Sequence, residues 1–376
     1  MSAKSRLQDR QGFASMFPYL LCLLGILLAV PVLALVALAF KLPITIAGIG
    51  YLSGSVLVIA GLLLAPWAHT YSNVLAVTGV IVISLVASLR LVLAWQDTAP
   101  SISMTTLPQG NGTHWVNYLL DEQDSLIFGE ELFHLIGGDS ASEHENITSA
   151  LLAGYSEMRA RQRLFPSPIV STYLNLQRPT HFDAVVIEPE VDDLPEFAVI
   201  FLHGYMGNVT AQCWEIAEAV RMFGGVTVCP STGWRGDWWQ PQGEAILQAT
   251  FEYVRGRGVQ RFYLGGFSNG GSGISRLAPQ LKNESGLKGL IFIDGIHNST
   301  AIRETGLPVL IIQGAQDERM LATQARQVAE EIGTSGTYVE LNGDHFLIMK
   351  QPRLVQDAIA TWLEMFEQRK YATTQY

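Results

Sequence analysis

Between Arg10 and Lys41, and again between Lys41 and Arg90, the sequence contains no charged side chain. Few folds tolerate that. A helix needs roughly 20 apolar residues to cross about 30 Å of hydrocarbon, and three stretches qualify. They are "FPYLLCLLGILLAVPVLALVALAF" (17–40), "LPITIAGIGYLSGSVLVIAGLLLAPW" (42–67) and "VLAVTGVIVISLVASLRLVLAW" (74–95), the last two separated by the polar turn "AHTYSN". A cleaved signal peptide is the competing reading of the first stretch. Its apolar run is too long for one, and two more spans follow. Residues 1–96 are therefore expected to form a three-span membrane region. Gly50 and Gly54 place a GxxxG on the second span, where small residues let helices approach closely.

Charge then sets orientation. Lys4, Arg6 and Arg10 crowd the N-terminal tail, and the short loops offer only Lys41 and the neutral His69. The positive-inside bias places the tail in the cytoplasm, and an odd number of spans places the remaining chain outside. The expected location is thus a multi-pass protein of the cell membrane with an extracytoplasmic C-terminal domain. Arg90 lies near the outer end of the third span, about one and a half turns in, and is expected to snorkel to the interface.

The rest of the chain has a different composition. Residues 97–376 hold 33 of the 34 acidic and 19 of the 24 basic residues, a net charge of −14. No basic stripe occurs, which argues against a nucleic-acid partner. There is no H-E-x-x-H and no paired C-x-x-C, so neither metal nor cofactor is expected. Cys213 and Cys229 could pair in an oxidising compartment or remain buried thiols. Five N-x-S/T sequons, at Asn111, Asn146, Asn208, Asn283 and Asn298, read as chance occurrences.

"QDTAPSISMTTLPQGNGT" (96–113) is rich in Pro, Ser, Thr and Gly and reads as a linker over 97–113. Residues 114–180 read as a helical extension, with helices broken at "GGDSASE", where Ser140 or Ser142 can cap. This extension could be a lid, an interfacial belt or added core. From 181 to about 370, short apolar runs alternate with helical stretches. The runs are 183–189, 197–204, 225–230, 261–267, 289–295, 308–315 and 337–343. Helices are expected at 211–222, 242–256, 269–281, 319–332 and 353–368. Such alternation implies an α/β fold with a mostly parallel sheet and helices on both faces. Function in such sheets sits in loops at the carboxyl ends of strands.

One of those loops carries chemistry. In "FYLGGFSNGGSG" (262–273), Gly266-Phe267-Ser268-Asn269-Gly270 fits G-x-S-x-G where a strand gives way to a helix. The turn that presents such a serine brings the residues two before and two after it together, and only glycine avoids the clash. A serine hydroxyl needs a base to take its proton. "LNGDHF" supplies His345 after the last strand. The imidazole in turn needs a carboxylate to hold its tautomer, and "IIQGAQDERM" supplies Asp317; Asp294 and the remoter Glu318 are its rivals. An oxyanion hole completes the set. "FLHGYMGN" (201–208) offers the backbone N–H of Tyr205, or less favourably Met206, beside that of Asn269, each such donor being worth roughly 3 kcal/mol to a transition state. His203 and His297 read as structural or pocket-lining. Trp234, Trp238 and Trp239 in "STGWRGDWWQP" could line an acyl cleft or anchor the core, and Arg235 is expected to pair with Asp237.

Through HGYMG, GFSNGG, the Asp of GAQDERM and the His of GDHF, residues 181–370 resemble the α/β-hydrolase superfamily, in particular its dienelactone-hydrolase-like and carboxylesterase-like members. Its prolyl-oligopeptidase-type peptidases share such an elbow. The resemblance implies an α/β-hydrolase fold and a Ser268–Asp317–His345 triad acting on a small-molecule or lipid-like ester through an acyl-enzyme. An acyltransferase or peptidase would use the same residues, and a catalytically idle binding or sensor module is the contrasting class. Only about a dozen residues separate "IFIDG" from "PVLII", so any lid must come from 97–180 or from loops.

Overall fold

The computed structural model describes residues 3–96, 101–110, 112–137, 141–162, 164–189 and 194–368. Asn111 and Ser140, named above as a sequon and a helix cap, lie outside them. By internal packing the chain divides into two units, residues 1–96 with 119–138, and residues 97–118 with 139–376.

The first unit contains α1 (Ala3–Ala39), α2 (Ile46–Leu64), α3 (His69–Gln96) and α4 (Glu122–Leu135). Three segments, Met16–Ala39, Ile46–Leu64 and His69–Trp95, are long and apolar enough to cross a membrane. Boundaries move where polar side chains find partners. Thr45 caps α2 by accepting the Gly48 N–H, which starts that helix later than its apolar run. The expected polar turn is largely helical, because the Ser72 hydroxyl donates to the Gly61 carbonyl at 2.8 Å and so costs the bundle no unpaired group. The two glycines of the GxxxG do bring helices together: a Cβ on Gly50 would stand 2.6 Å from Val86, and one on Gly54 2.7 Å from Ile83. Arg90 departs from expectation. Its guanidinium is buried, 3.2 Å from the Asp121 carboxylate and 3.0 Å from the Leu120 carbonyl, so a protein partner replaces the water it was expected to seek.

The second unit is built on an eight-stranded sheet, β1 (Ile102–Leu107), β2 (Phe182–Ile187), β3 (Ala198–Leu202), β4 (Val226–Pro230), β5 (Phe262–Phe267), β6 (Leu287–Ile293), β7 (Val309–Gly314) and β8 (Gly336–Leu341). Its order is β1-β2-β4-β3-β5-β6-β7-β8. The β1–β2 and β2–β4 pairs are antiparallel and the remainder parallel. Seven of these strands were expected, each within two residues of its observed ends. Five of them, β2 to β5 and β7, are buried along their whole length, as strands covered on both faces by helices must be. β1 corrects the expected linker. "ISMTTL" turns Ile102 and Met104 inward, and this alternation is obscured by its hydroxyl side chains.

The helices of this unit are α5 (Ala141–Arg161), α6 (Ile169–Tyr173), α7 (Thr210–Val220), α8 (Pro241–Gly256), α9 (Asn269–Leu281), α10 (Ser299–Glu304), α11 (Ala322–Ile332), α12 (Leu347–Lys350) and α13 (Pro352–Leu363). The last ends five residues before its expected limit. The segment before β2 is tied to the sheet by the buried Asp183, which accepts from His114 Nδ1, Asn117 Nδ2 and Ser171 Oγ, each at 2.8 Å. Burial alone would raise this carboxyl, but the hydrogen bonds outweigh it and hold Asp183 below the usual carboxylate range. Cys213 on α7 and Cys229 on β4 form a disulfide. The Asn208 amide is buried and donates to the Cys229 carbonyl and Ser231 hydroxyl at 2.9 and 3.0 Å. It is therefore a structural residue, closed to a glycan.

Candidate active site

The turn from β5 to α9 holds Ser268 at φ 52° and ψ −115°, a left-handed backbone that costs a non-glycine residue about 1–3 kcal/mol. Neighbours hold it there. The Ser268 N–H donates to the Ile293 carbonyl at 3.0 Å, and its carbonyl accepts from Ser272 at 2.9 Å. A Cβ on Gly266 would lie 2.5 Å from the Gly270 carbonyl carbon, and one on Gly270 would overlap the Leu202 carbonyl oxygen. Both glycines are therefore there for space. Gly270→Ala should push the elbow off the end of β3, lowering thermal stability by about 1–3 kcal/mol and turnover on the order of a hundredfold. Calorimetry and hydrolase turnover measure the two effects, and an unimpaired variant would show that the elbow has slack.

Ser268, His345 and Asp317 converge. Ser268 Oγ lies 2.8 Å from His345 Nε2, and His345 Nδ1 lies 2.8 Å from Asp317 Oδ2. An ionised carboxylate only accepts, so Nδ1 carries the proton and Nε2 is left to accept from the hydroxyl. Asp317 is itself fully engaged. Its Oδ1 accepts the N–H groups of Arg319 and Met320 at 2.8 and 2.9 Å, and its Oδ2 also accepts Gln313 Nε2 at 3.1 Å. Burial would raise its pKa; the His345 hydrogen bond and the two backbone donors overcome that and keep it low. Gln313, on β7, went unnoticed in the sequence because a glutamine inside an apolar strand carries no motif.

Neither rival acid bonds His345 among the described residues. Asp294 is fully buried at the end of β6, with Oδ1 accepting the Gly314 N–H at 2.8 Å. Burial, then the nearby Asp317 and Asp344 charges, push its carboxyl well above the usual range, and through the Gly314 N–H it braces β7. His203 has a comparable duty. Burial drives its pKa down to about 4, and the neutral ring bonds the Gly204 carbonyl through Nδ1 at 2.8 Å and accepts the Thr232 N–H at Nε2 at 3.1 Å. It thereby fixes the loop after β3. A Cβ on Gly204 would stand 3.1 Å from the Ser268 Cβ, so this loop, which carries Tyr205, passes beside the serine. The Asn269 N–H belongs to the first turn of α9, whose amides have no intrahelical acceptor. His297 is shifted down by burial and by Arg276.

The three tryptophans separate. Trp238 is not pocket-lining: it is fully buried, with its indole N–H donating to the His203 carbonyl at 2.9 Å. Its ring packs where α9 has only Gly273. Trp239 lies under Arg276, whose guanidinium is 4.3 Å from the ring centroid. Trp234 alone of the three is exposed, 5.0 Å from the Tyr205 ring, with Arg235 over it at 5.2 Å. Arg235 is thus stacked, and among the described residues it makes no ion pair with Asp237. The extension contributes Tyr173, whose hydroxyl donates to the Met206 carbonyl at 3.2 Å. No sequence signal connects Tyr173 to a loop more than thirty residues away.

The sequence profile described as the alpha/beta hydrolase family matches residues 240–347. No curated protein sequence matches the chain. Solved structures that resemble it include an α/β serine hydrolase without lid from Xanthomonas campestris, at 20% identity and TM-score 0.42, covering 51% of this chain and 92% of that one. The esterase domain of a Rhodothermus marinus protein is 14% identical with TM-score 0.41, covering 49% and 93%. A fluorophosphonate-binding serine hydrolase from Staphylococcus aureus is 14% identical with TM-score 0.42, covering 49% and 92%. Strand order and profile match agree, and the domain that follows the apolar helices is one of the α/β-hydrolase fold.

Proposed function

We propose that this protein is a membrane-anchored serine hydrolase that cleaves carboxylic esters through an acyl-enzyme. One observation carries the reading: the unbroken hydrogen-bond chain from Ser268 through His345 to Asp317, at 2.8 Å for each link. In this mechanism His345 takes the hydroxyl proton as Ser268 attacks the ester carbonyl, and Asp317 stabilises the imidazolium that forms. The N–H groups of Tyr205 and Asn269 hold the tetrahedral oxyanion. His345 then returns the proton to the leaving alcohol, and water repeats the sequence to release the acid. Tyr173, Leu174, Tyr205 and Met206 are exposed large apolar or aromatic side chains, and Trp234 is exposed beside them. A lip of this kind suits an apolar acyl or alcohol group over a charged one. The disulfide between Cys213 and Cys229 supports an oxidising compartment, in keeping with an extracytoplasmic domain.

The test is covalent labelling. Purified full-length protein treated with a fluorophosphonate probe should label at Ser268 and then lose esterase activity, and Ser268→Ala should not label. Folded wild-type protein that resists the probe would leave a binding module as the better reading.

A further inference from the structure

Apart from the buried Ile127, the burial pattern of α4 is reversed relative to a helix bathed in water. Its carboxylates are covered, with Glu122 2% exposed and Glu131 8%, while Leu132 is 57%, Leu135 61% and Ile136 74% exposed. Leu132 and Leu135, with Ile136 as the helix's C-cap, fall at i, i+3 and i+4, one stripe of a helix. In an aqueous setting the stripe would seek the core and the acids would face solvent. The same reversal marks the candidate span α1, where Leu27 is 65%, Val30 72% and Leu33 61% exposed, as a helix surrounded by lipid would be.

The attachment of α4 fixes its level. The Thr45 N–H and hydroxyl both donate to Asp124, at 2.9 and 2.5 Å. The Tyr51 hydroxyl donates to the Leu119 carbonyl at 2.7 Å, and Arg90 reaches Asp121 and the Leu120 carbonyl. Tyr51 lies five residues into α2, and Arg90 six residues before the end of α3. At 1.5 Å per residue, these contacts sit roughly 7–9 Å inside the helix ends. With the helix ends taken at the outer headgroup surface, that depth reaches the boundary between headgroups and acyl chains. A helix of 14 residues, about 21 Å long, is too short to cross.

We propose that α4 is a membrane-surface helix that lies in the bilayer interface, with Leu132, Leu135 and Ile136 seated among the upper acyl chains. Its occupant is lipid, and the acids turn away because Asp121 and Asp124 are bonded to the bundle. Such a helix sinks its apolar stripe about 5–10 Å below the headgroups. The proposal rests on the reading of α1 to α3 as spans.

The experiment reads depth directly. In a Cys22→Ser background, full-length protein carrying Leu132→Cys, Leu135→Cys or Ile136→Cys is labelled with an environment-sensitive fluorophore. It is then reconstituted into phosphatidylcholine vesicles with a lipid bearing a quencher high on its acyl chain for the α4 sites, and one bearing it deep in the chain for the mid-span Leu27→Cys, with Arg326→Cys measured in both. Leu27→Cys serves as the span control and Arg326→Cys as the solvent control. At least two of the three α4 sites should be quenched twofold or more beyond Arg326→Cys, approaching Leu27→Cys; testing three sites guards against one variant failing to fold. Quenching at Leu27→Cys with the α4 sites equal to Arg326→Cys would overturn the proposal. Blue-shifted but unquenched α4 labels would do so too, by showing a protein occupant such as a second copy. An unquenched Leu27→Cys would remove the spans themselves, and the proposal with them.

Discussion

Replacing His345 with alanine should lower turnover on the order of a million-fold, and adding Ser268→Ala should lower it no further. The two side chains act as one device. Ser268 Oγ and His345 Nε2 are 2.8 Å apart, so either loss removes the same proton transfer. A residual rate is expected from the proposed oxyanion donors, the N–H groups of Tyr205 and Asn269, which neither substitution removes. Asp317→Asn should cost about ten-thousand-fold, because an amide in that place stabilises the wrong tautomer of the imidazole. Single-turnover rates on an activated ester measure all three. Additive losses for Ser268 and His345 would mean that they do not share a step and would break the proposed mechanism.

Glu215→Gln should make the protein more stable at alkaline pH and leave it nearly unchanged at pH 5. Glu215 sits on α7 beside a cleft of about 310 Å³ that Gly154, Lys350 and Arg353 also line. Burial first, then the neighbouring Glu157 and Glu218, push its carboxyl from an ordinary 4.5 up to about 8; Arg353 and the Gln356 hydrogen bond pull it down by less. The folded chain therefore binds a proton that the unfolded chain has released. Below pH 4.5 both states are protonated and nothing is lost. As pH rises from there towards 8 the unfolded state is increasingly favoured, and above about 8 the penalty stops growing. At roughly 1.4 kcal/mol for each tenfold difference in proton affinity, the penalty approaches about 5 kcal/mol. Glutamine keeps the acceptor for Gln356, whose amide reaches Glu215 Oε2 at 2.6 Å, and has no proton to lose. Scanning calorimetry between pH 5 and 9 should show the two midpoints diverging up to about pH 8 and running parallel beyond. Parallel curves throughout would mean that Glu215 is ionised in the folded protein.

The alternation of strands and helices, and the order of serine, acid and histidine along them, were legible because both are local. A period of two or of 3.6, or a glycine pair flanking a serine, needs only neighbours in the chain to be recognised. β1 was missed for the opposite reason. Its strand character depends on β2, which is 75 residues further on and pairs Ile102 with Ile187. Trp238 shows the same limit: three tryptophans in six residues look alike, and only the packing of α9 decides that one is core, one a shelf for Arg276 and one a rim.

Apolar run lengths alone determined that three helices can span a bilayer, since burial of backbone in hydrocarbon depends on length and composition and on little else. Motif order alone likewise pointed to the α/β-hydrolase fold. What only the tertiary structure decided are the pairings between distant groups. Asp317 rather than Asp294 meets the imidazole, Asp121 rather than water meets Arg90, and Cys213 joins Cys229. Each of these is a choice that local sequence leaves open, and distance in space, which sequence does not carry, makes the choice.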